Sequence, residues 1–415
     1  MLEQGKRSEL PMSENKHTSS DGIVVTVGQE NAQILGNNHI ALQAAVDYVS
    51  GHGGGTVLIG PGEYTMLDSL HLRSHVTLRG SGKNTILKKG DSTESALVLD
   101  GDFGEEQVTL ANPKGFEPGN GISVTDDNSG GFHTVVATVL WANGSTLGVS
   151  KPMGGDYMVS RNARAAATFP VVSGYHVEGV QIEELTIQGN KNANPYLTGC
   201  RAAGIFLYRS HGTVIKSCNV YDYNGDGISF QQSQQVVVED CACAGNTHLG
   251  LHPGSGSGFP VIRNCKSVKN GRIGLFLCWR VKHGKFENNV LEQNGETGIS
   301  IGHKDTDNHF VSNSINKNTR EGILFRNESE PMAGHRNTFE QNQIQDNGEG
   351  PEGCGIRIQG ETHDLTFRKN RIGSGEGEQS IGIQIGENTK RIVLEDNDMF
   401  HHTITDIDDR RKEAS

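Results

Sequence analysis

The stretch GIFLYRSHGTVIKSCNVYDYNGDGISF, Gly204 to Phe230, contains its own opening twice, because GIFLY at Gly204 returns as GISFQ at Gly227. The same signal, a glycine before an apolar-x-apolar triplet, recurs at Gly250, Gly274, Gly298 and Gly322, with gaps of 23, 23, 24, 24 and 24 residues. Two more copies, GIRIQ at Gly355 and GIQIG at Gly382, follow after gaps of 33 and 27 that must hold insertions. Short β-type runs at a fixed period near 23, with no helical periodicity, predict one coil of a parallel β-helix per repeat. Equivalent positions then stack at roughly 4.8 Å, the spacing of neighbouring strands.

Stacking assigns roles by column. An asparagine stands four residues before the glycine at Asn246, Asn270, Asn294 and Asn318, and a second group comprises Asn264, Asn289, Asn313, Asn342, Asn370 and Asn397. Both read as side-chain ladders that hydrogen-bond along the turns. Cys218, Cys241 and Cys265 share one column, which favours a stack of buried free thiols. The seven cysteines show no metal-like CxxC pairing and no disulfide framework.

The expected fold is all-β: a right-handed parallel β-helix solenoid with an N-terminal capping helix and an antiparallel β insertion. HIALQAAVDYV, His39 to Val49, has apolar residues at helical spacing and leads into GHGGGTVLIGPGEY. Such a helix covers the exposed end of the first coil, which would otherwise present unpaired strand backbone. Residues 105–169 break the period with alternating strands around Asn-Gly turns and read as antiparallel hairpins. The expected order is a polar leader over 1–22, the cap and first coils over 23–104, the insertion over 105–169, coils over 170–407, and a charged, frayed tail over 408–415.

The formal net charge of -12 argues against nucleic acid as a partner. No run approaches 18 consecutive apolar residues, so no membrane span is expected. The polar N-terminus lacks the apolar core of a signal peptide, which points to the cytoplasm unless a signal was removed.

Within each coil, the residues two and four after the glycine point away from the core. The first outward column reads Phe206, Ser229, His252, Phe276, Ser300, Leu324, Arg357, Gln384; the second includes Gln231, Cys278 and Arg326. Just beyond come Trp279, Arg280 and Lys282, then His303, Lys304 and Asp305, then Glu328 and Glu361. These residues outline one cleft about 15 Å long at one coil per strand spacing. It is basic in an acidic chain, which favours an acidic polysaccharide or oligosaccharide. Trp279, Arg280, Lys282, His303, Glu328, Arg357 and Glu361 are the expected substrate-binding residues; His252, Lys304, Arg326 and Asp226 are the expected catalytic ones. Cys278 is a further candidate nucleophile. No cofactor is expected; Asp305 and Asp307 fall short of the six to eight oxygens of a Ca²⁺ site.

The repeats, the helix and GGGTVLIGPGEY resemble the pectate-lyase-like right-handed β-helix superfamily from about Gly22 to Asp406. That resemblance implies a polysaccharide lyase, a glycoside hydrolase, or a non-catalytic glycan-binding or spike-like protein, the last commonly a homotrimer. Polygalacturonases carry NTD, DD, GHG and RIK motifs, and YNGDG, THLGL and RVK follow in the same order here. By that likeness Asp226 is an acid, His248 a supporting residue, and Arg280 and Lys282 bind the substrate carboxylate. Ala203 stands in place of the NTD aspartate and the DD doublet is the single Asp226, whereas glycoside hydrolysis needs two carboxylates. Other β-helix lyases pair a Lys base with an Arg acid one coil apart, as Lys304 and Arg326 nearly are. β-Elimination on a uronate polysaccharide is therefore the leading expectation: the base takes the proton alpha to a carboxylate while a cation stabilises the resulting enediolate.

Overall fold

A computed structural model describes residues 22–411 except 130, 131, 351, 352 and 378. The expected leader, apart from Gly22, and residues 412–415 of the expected tail lie outside the described residues. Three parallel sheets of 13, 11 and 11 strands run along the chain, together with a six-stranded antiparallel sheet, among the described residues. Each coil contributes one strand to each parallel sheet. In one of them Asp226–Gln231 lies in the third sheet, Val237–Glu239 in the first and Ala242–Ala244 in the second, before Leu251–Gly254 returns to the third. The registers confirm the columns, since Phe206 pairs with Ser229 and Ser229 with His252. The 33-residue gap holds an extra turn around Glu330–Met332.

Inward side chains form one continuous core. Phe286, Phe310, Phe339 and Phe367 stack ring on ring at 4.7, 4.4 and 5.1 Å. Asn246, Asn270, Asn294, Asn318 and Asn347 form one amide ladder. Asn289, Asn313, Asn342, Asn370 and Asn397 form the other. Cys218, Cys241 and Cys265 continue this second column, and the Cys265 N–H donates to Asn289 Oδ1 at 2.9 Å. Asn264 is not a rung. It takes the left-handed backbone conformation (φ 55°), as Asp240, Asn288 and Ser312 do one residue before their own rungs. That conformation turns the chain so that the next side chain points along the stack. The turn between first-sheet and second-sheet strands is two residues long in every coil from Glu183 to Asp398.

Each rung serves several partners. Asn313 Oδ1 accepts from the backbone and side-chain amides of Asn289, while Asn313 Nδ2 donates to Phe286 O and Asn342 Oδ1. Asn313→Ala strands these buried groups and is expected to cost about 2–3 kcal/mol by the penalty for unmet buried hydrogen bonds, measurable as a lower urea midpoint.

The helix His39–Gly51 buries Leu42, Ala45, Val46 and Val49 in the same core, and Asn38 Oδ1 caps it by accepting from the Ala41 N–H at 3.1 Å. No described helix is long and apolar enough to cross a membrane. The antiparallel sheet has its own core and draws in Glu94–Ala96, which precedes the expected start of the insertion. Thr405–Asp409, whose last two residues fall in the expected tail, pairs in parallel with Ile381–Ile385. In its register Ile407, an exposed side chain, stands opposite Ile383.

Candidate functional site

The outward columns of the third sheet are roofed rather than open to solvent. Phe206, Ser229, Gln231, His252 and Ser300 are all buried. The long loop at 189–202 lies across them, and the Ser229 hydroxyl donates to Gly199 O at 2.6 Å. A Cβ at Gly199 would sit 1.6 Å from Asp226 Oδ2 and 2.7 Å from His252 Nδ1, so only glycine lets the loop approach this closely.

Beneath Gly199, Asp226 and His252 meet. Asp226 opens its strand with a fully buried side chain, and its Oδ2 lies 2.7 Å from His252 Nδ1. Oδ1 lies 3.0 Å from His248 Nδ1 and accepts from the Leu249 N–H. Burial alone would raise the Asp226 pKa, but the hydrogen bonds from His248 and His252 hold it below the ordinary carboxylate value. Burial likewise opposes the charged form of His252, and the Asp226 hydrogen bond outweighs it, so the imidazole pKa is raised. With Nδ1 engaged by Asp226, Nε2 faces Gln231, whose amide nitrogen is 3.4 Å away. His248 is tied down on both sides, because the Arg272 guanidinium donates to its Nε2 at 2.7 Å. Tyr196 packs edge-on against His248 and is pushed up to about 12 by burial and by Asp226.

Cys200 and Cys278 stand beside His252, and their thiols interact with one another. That hydrogen bond brings the Cys200 thiol down to about 6, against the effect of burial, while the Cys278 thiol is pushed far up. Cys200 also lines a cleft of about 410 Å³ between the coils and the insertion, with Lys151, Tyr175, His176, Arg201, Phe206 and Tyr208. The cleft lining contains no carboxylate. Lys151 Nζ sits 3.4 Å from the centre of the Tyr175 ring, and burial brings it down to about 8.

The single cleft expected from the columns is divided. Asp226 and His252 come together, but Arg326 is not free to act with Lys304. Its guanidinium turns inward to Ser300 Oγ and Leu277 O, lies 4.7 Å from the Phe276 ring centre, and pairs with the buried Asp305 at 3.2 Å. Burial raises the Asp305 pKa to about 7, with Arg326 opposing that shift. Lys304 has a left-handed backbone (φ 68°), and its half-buried side chain makes no hydrogen bond or ion pair among the described residues. A spacing close to one coil therefore does not assemble this pair, because the Arg326 guanidinium is already committed to Asp305, Ser300 and Leu277.

Trp279, Arg280, His303 and Glu328 form a separate patch on the turns. The Trp279 and His303 rings are 5.4 Å apart, Arg280 is 5.8 Å from the Trp279 ring centre, and His303 Nε2 is 2.7 Å from Glu328 Oε1. Lys282 follows on the same turn, where its N–H donates to Ser257 O. Arg357 pairs with Glu321 at 3.0 Å in a further cavity, and Glu361 accepts from the Glu330 N–H. Sequence reasoning missed Lys151, Arg201 and Cys200 because they stand on segments outside the repeat. The one available signal was the long gap between Gln188 and Ala203, which implied a loop able to fold over the face.

The family model for the right-handed β-helix region matches residues 171–332. No curated protein sequence matches the chain. Among solved structures, the mannuronan C-5 epimerase AlgE4 A-module of Azotobacter vinelandii aligns with a TM-score of 0.60 at 16% identity, over 93% of this chain and 100% of that one. A glycoside hydrolase aligns at 0.56 and 11% identity, over 90% and 96%. The surface adhesin PfbA of Streptococcus pneumoniae aligns at 0.56 and 14% identity, over 92% and 91%. Coils, sheets and comparisons agree: the chain is a right-handed parallel β-helix protein.

Proposed function

We propose that the chain modifies an acidic, uronate-type polysaccharide, and that the reaction begins with removal of the proton alpha to a uronate carboxylate. The observation that carries this reading is the buried Asp226–His252 pair beside a cleft with Lys151 and Arg201 but no acid. Asp226 fixes the tautomer with the proton on Nδ1, which leaves the Nε2 lone pair of His252 as the base. Lys151 and Arg201 neutralise the carboxylate, so that charge moving onto it in the transition state meets fixed cations. Tyr175, Tyr208 and Phe206 supply apolar and aromatic surface for sugar rings.

Two outcomes share this first step. Loss of the C4 oxygen from the resulting anion is β-elimination, the leading expectation from sequence, and return of a proton to the other face is epimerisation. The glycan-directed names among the structural neighbours are consistent with either. A glycosidase reading fits less well, because a general acid must hold a proton and Asp226 is kept ionised.

The test is incubation of the full chain with a panel of uronate polysaccharides in deuterated water. Deuterium at C5, or the ultraviolet absorbance of an unsaturated uronate, is the expected result, and the two together assign elimination or epimerisation. New reducing ends without either signal would overturn the proposal in favour of hydrolysis.

A further inference from the structure

We propose that Cys200, Cys278 and His252 form a binding site for one soft divalent cation of the Zn²⁺ class. The two sulfurs and an imidazole nitrogen lie within 4.8 Å of one another. Around a tetrahedral zinc with bonds of about 2.0–2.3 Å, donor atoms stand roughly 3.5–3.8 Å apart, so closure needs only a small inward shift of each side chain. Thiolate and imidazole are the donor types that select this class of ion.

Three further observations separate the cluster from ordinary packing of thiols. Cys218, Cys241 and Cys265 stack as rungs in a turn column, whereas Cys200 and Cys278 meet on the outward side of the third sheet, on segments about three coils apart in sequence. His252 carries the supporting contact that metal-bound histidines usually have, an Nδ1–H donated to a carboxylate, here Asp226 at 2.7 Å. Nε2, which faces the Gln231 amide nitrogen at 3.4 Å, is then the nitrogen that would take the ion. Gln231 Oε1, the other end of that amide, is buried and has no hydrogen-bond partner among the described residues. Three protein ligands leave a fourth position for water, and a metal-bound water is a donor that this oxygen lacks. The nearby Arg326 guanidinium is countered by Asp305.

Binding forms two metal–sulfur bonds and one metal–nitrogen bond, and the thiol proton that the Cys200–Cys278 pair shares is released to solvent. The nitrogen lone pair is the one assigned above as the base. Occupancy and turnover therefore exclude each other, and this consequence alone rests on the proposed reaction.

The test uses the full chain, reduced and stripped with chelator, titrated with Co²⁺ and then Zn²⁺. The expected result is one equivalent of Co²⁺ giving thiolate charge-transfer and intense tetrahedral visible bands, and displacement by Zn²⁺. Cys200→Ser and Cys278→Ser are each expected to weaken binding at least tenfold, and Asp226→Asn, which touches no metal, by about 10- to 100-fold. Absence of the charge-transfer band in the reduced wild-type protein would overturn the site, and so would unchanged bands in the Cys200→Ser/Cys278→Ser double variant. The wild-type titration decides the matter even if a variant fails to fold. The spectrum needs no substrate, so a chain inactive on every polysaccharide but with the bands would lose the proposed reaction and keep the metal site.

Discussion

Asparagine in place of Asp226 is expected to lower kcat on a uronate polymer by about 10²- to 10⁴-fold, the range typical of a positioned general base or the group that orients it. The substitution keeps the shape of the side chain and removes its charge. An asparagine amide can donate to His252 Nδ1, and that favours the tautomer with the proton on Nε2, where the lone pair is needed. Lys151 and Arg201 would still hold the carboxylate, so KM should change far less than kcat. Steady-state kinetics of the variant, with circular dichroism to confirm the fold, provide the measurement. A loss of less than tenfold would remove the Asp226–His252 pair from the mechanism.

Asp305→Ala is expected to destabilise the protein by about 3–5 kcal/mol near pH 8, the cost of leaving one member of a buried ion pair without its partner. Arg326 would keep its charge in a largely buried position, and the Val281 and Gly302 N–H groups would lose their acceptor. The native protein should also carry a pH signature of this residue. Burial raises the Asp305 pKa to about 7 from its ordinary 3.8, so between those values the native state holds a proton that the unfolded chain has released. Stability from this source is complete below the lower value and declines as pH rises through the window, levelling off above about 7. Urea midpoints followed from pH 4 to 8 should therefore fall with a component that Asp305→Asn abolishes. A midpoint profile identical in the wild type and Asp305→Asn would show that the carboxyl does not titrate in this range.

The solenoid was legible because its physics is periodic. A glycine every 23 or 24 residues, an asparagine four residues before it and alternating apolar positions each state the same register independently. Asn264 was misplaced by one position, since a turn that needs one left-handed residue and one rung can take asparagine at either. The site was half legible. His252 followed from the column arithmetic and Asp226 from its place before Gly227 in YNGDG, and both belong to strands whose register the repeat sets. The roof over them did not, since nothing in the loop at 189–202 states which face it will cover, and the insertion obeys a different period from the coils. Charge was the poorest guide: Arg326 appeared as an outward cation available to substrate, and it is a buried structural ion bound to Asp305.

The two-residue turn between the first and second sheets has a consequence for how such a molecule diversifies. From Glu183 to Asp398 that corner never changes length, while the other two corners carry the long loop over Asp226 and the turn at Glu330–Met332. One corner therefore acts as a ruler that keeps the rungs aligned, and the remaining corners are free to vary without disturbing it. A residue gained at the ruler would shift every later side chain across the wall, whereas a gain elsewhere only reshapes the surface that meets the ligand. New specificity in this architecture is thus cheapest to acquire by loop exchange at those two corners, on an inherited scaffold that need not change.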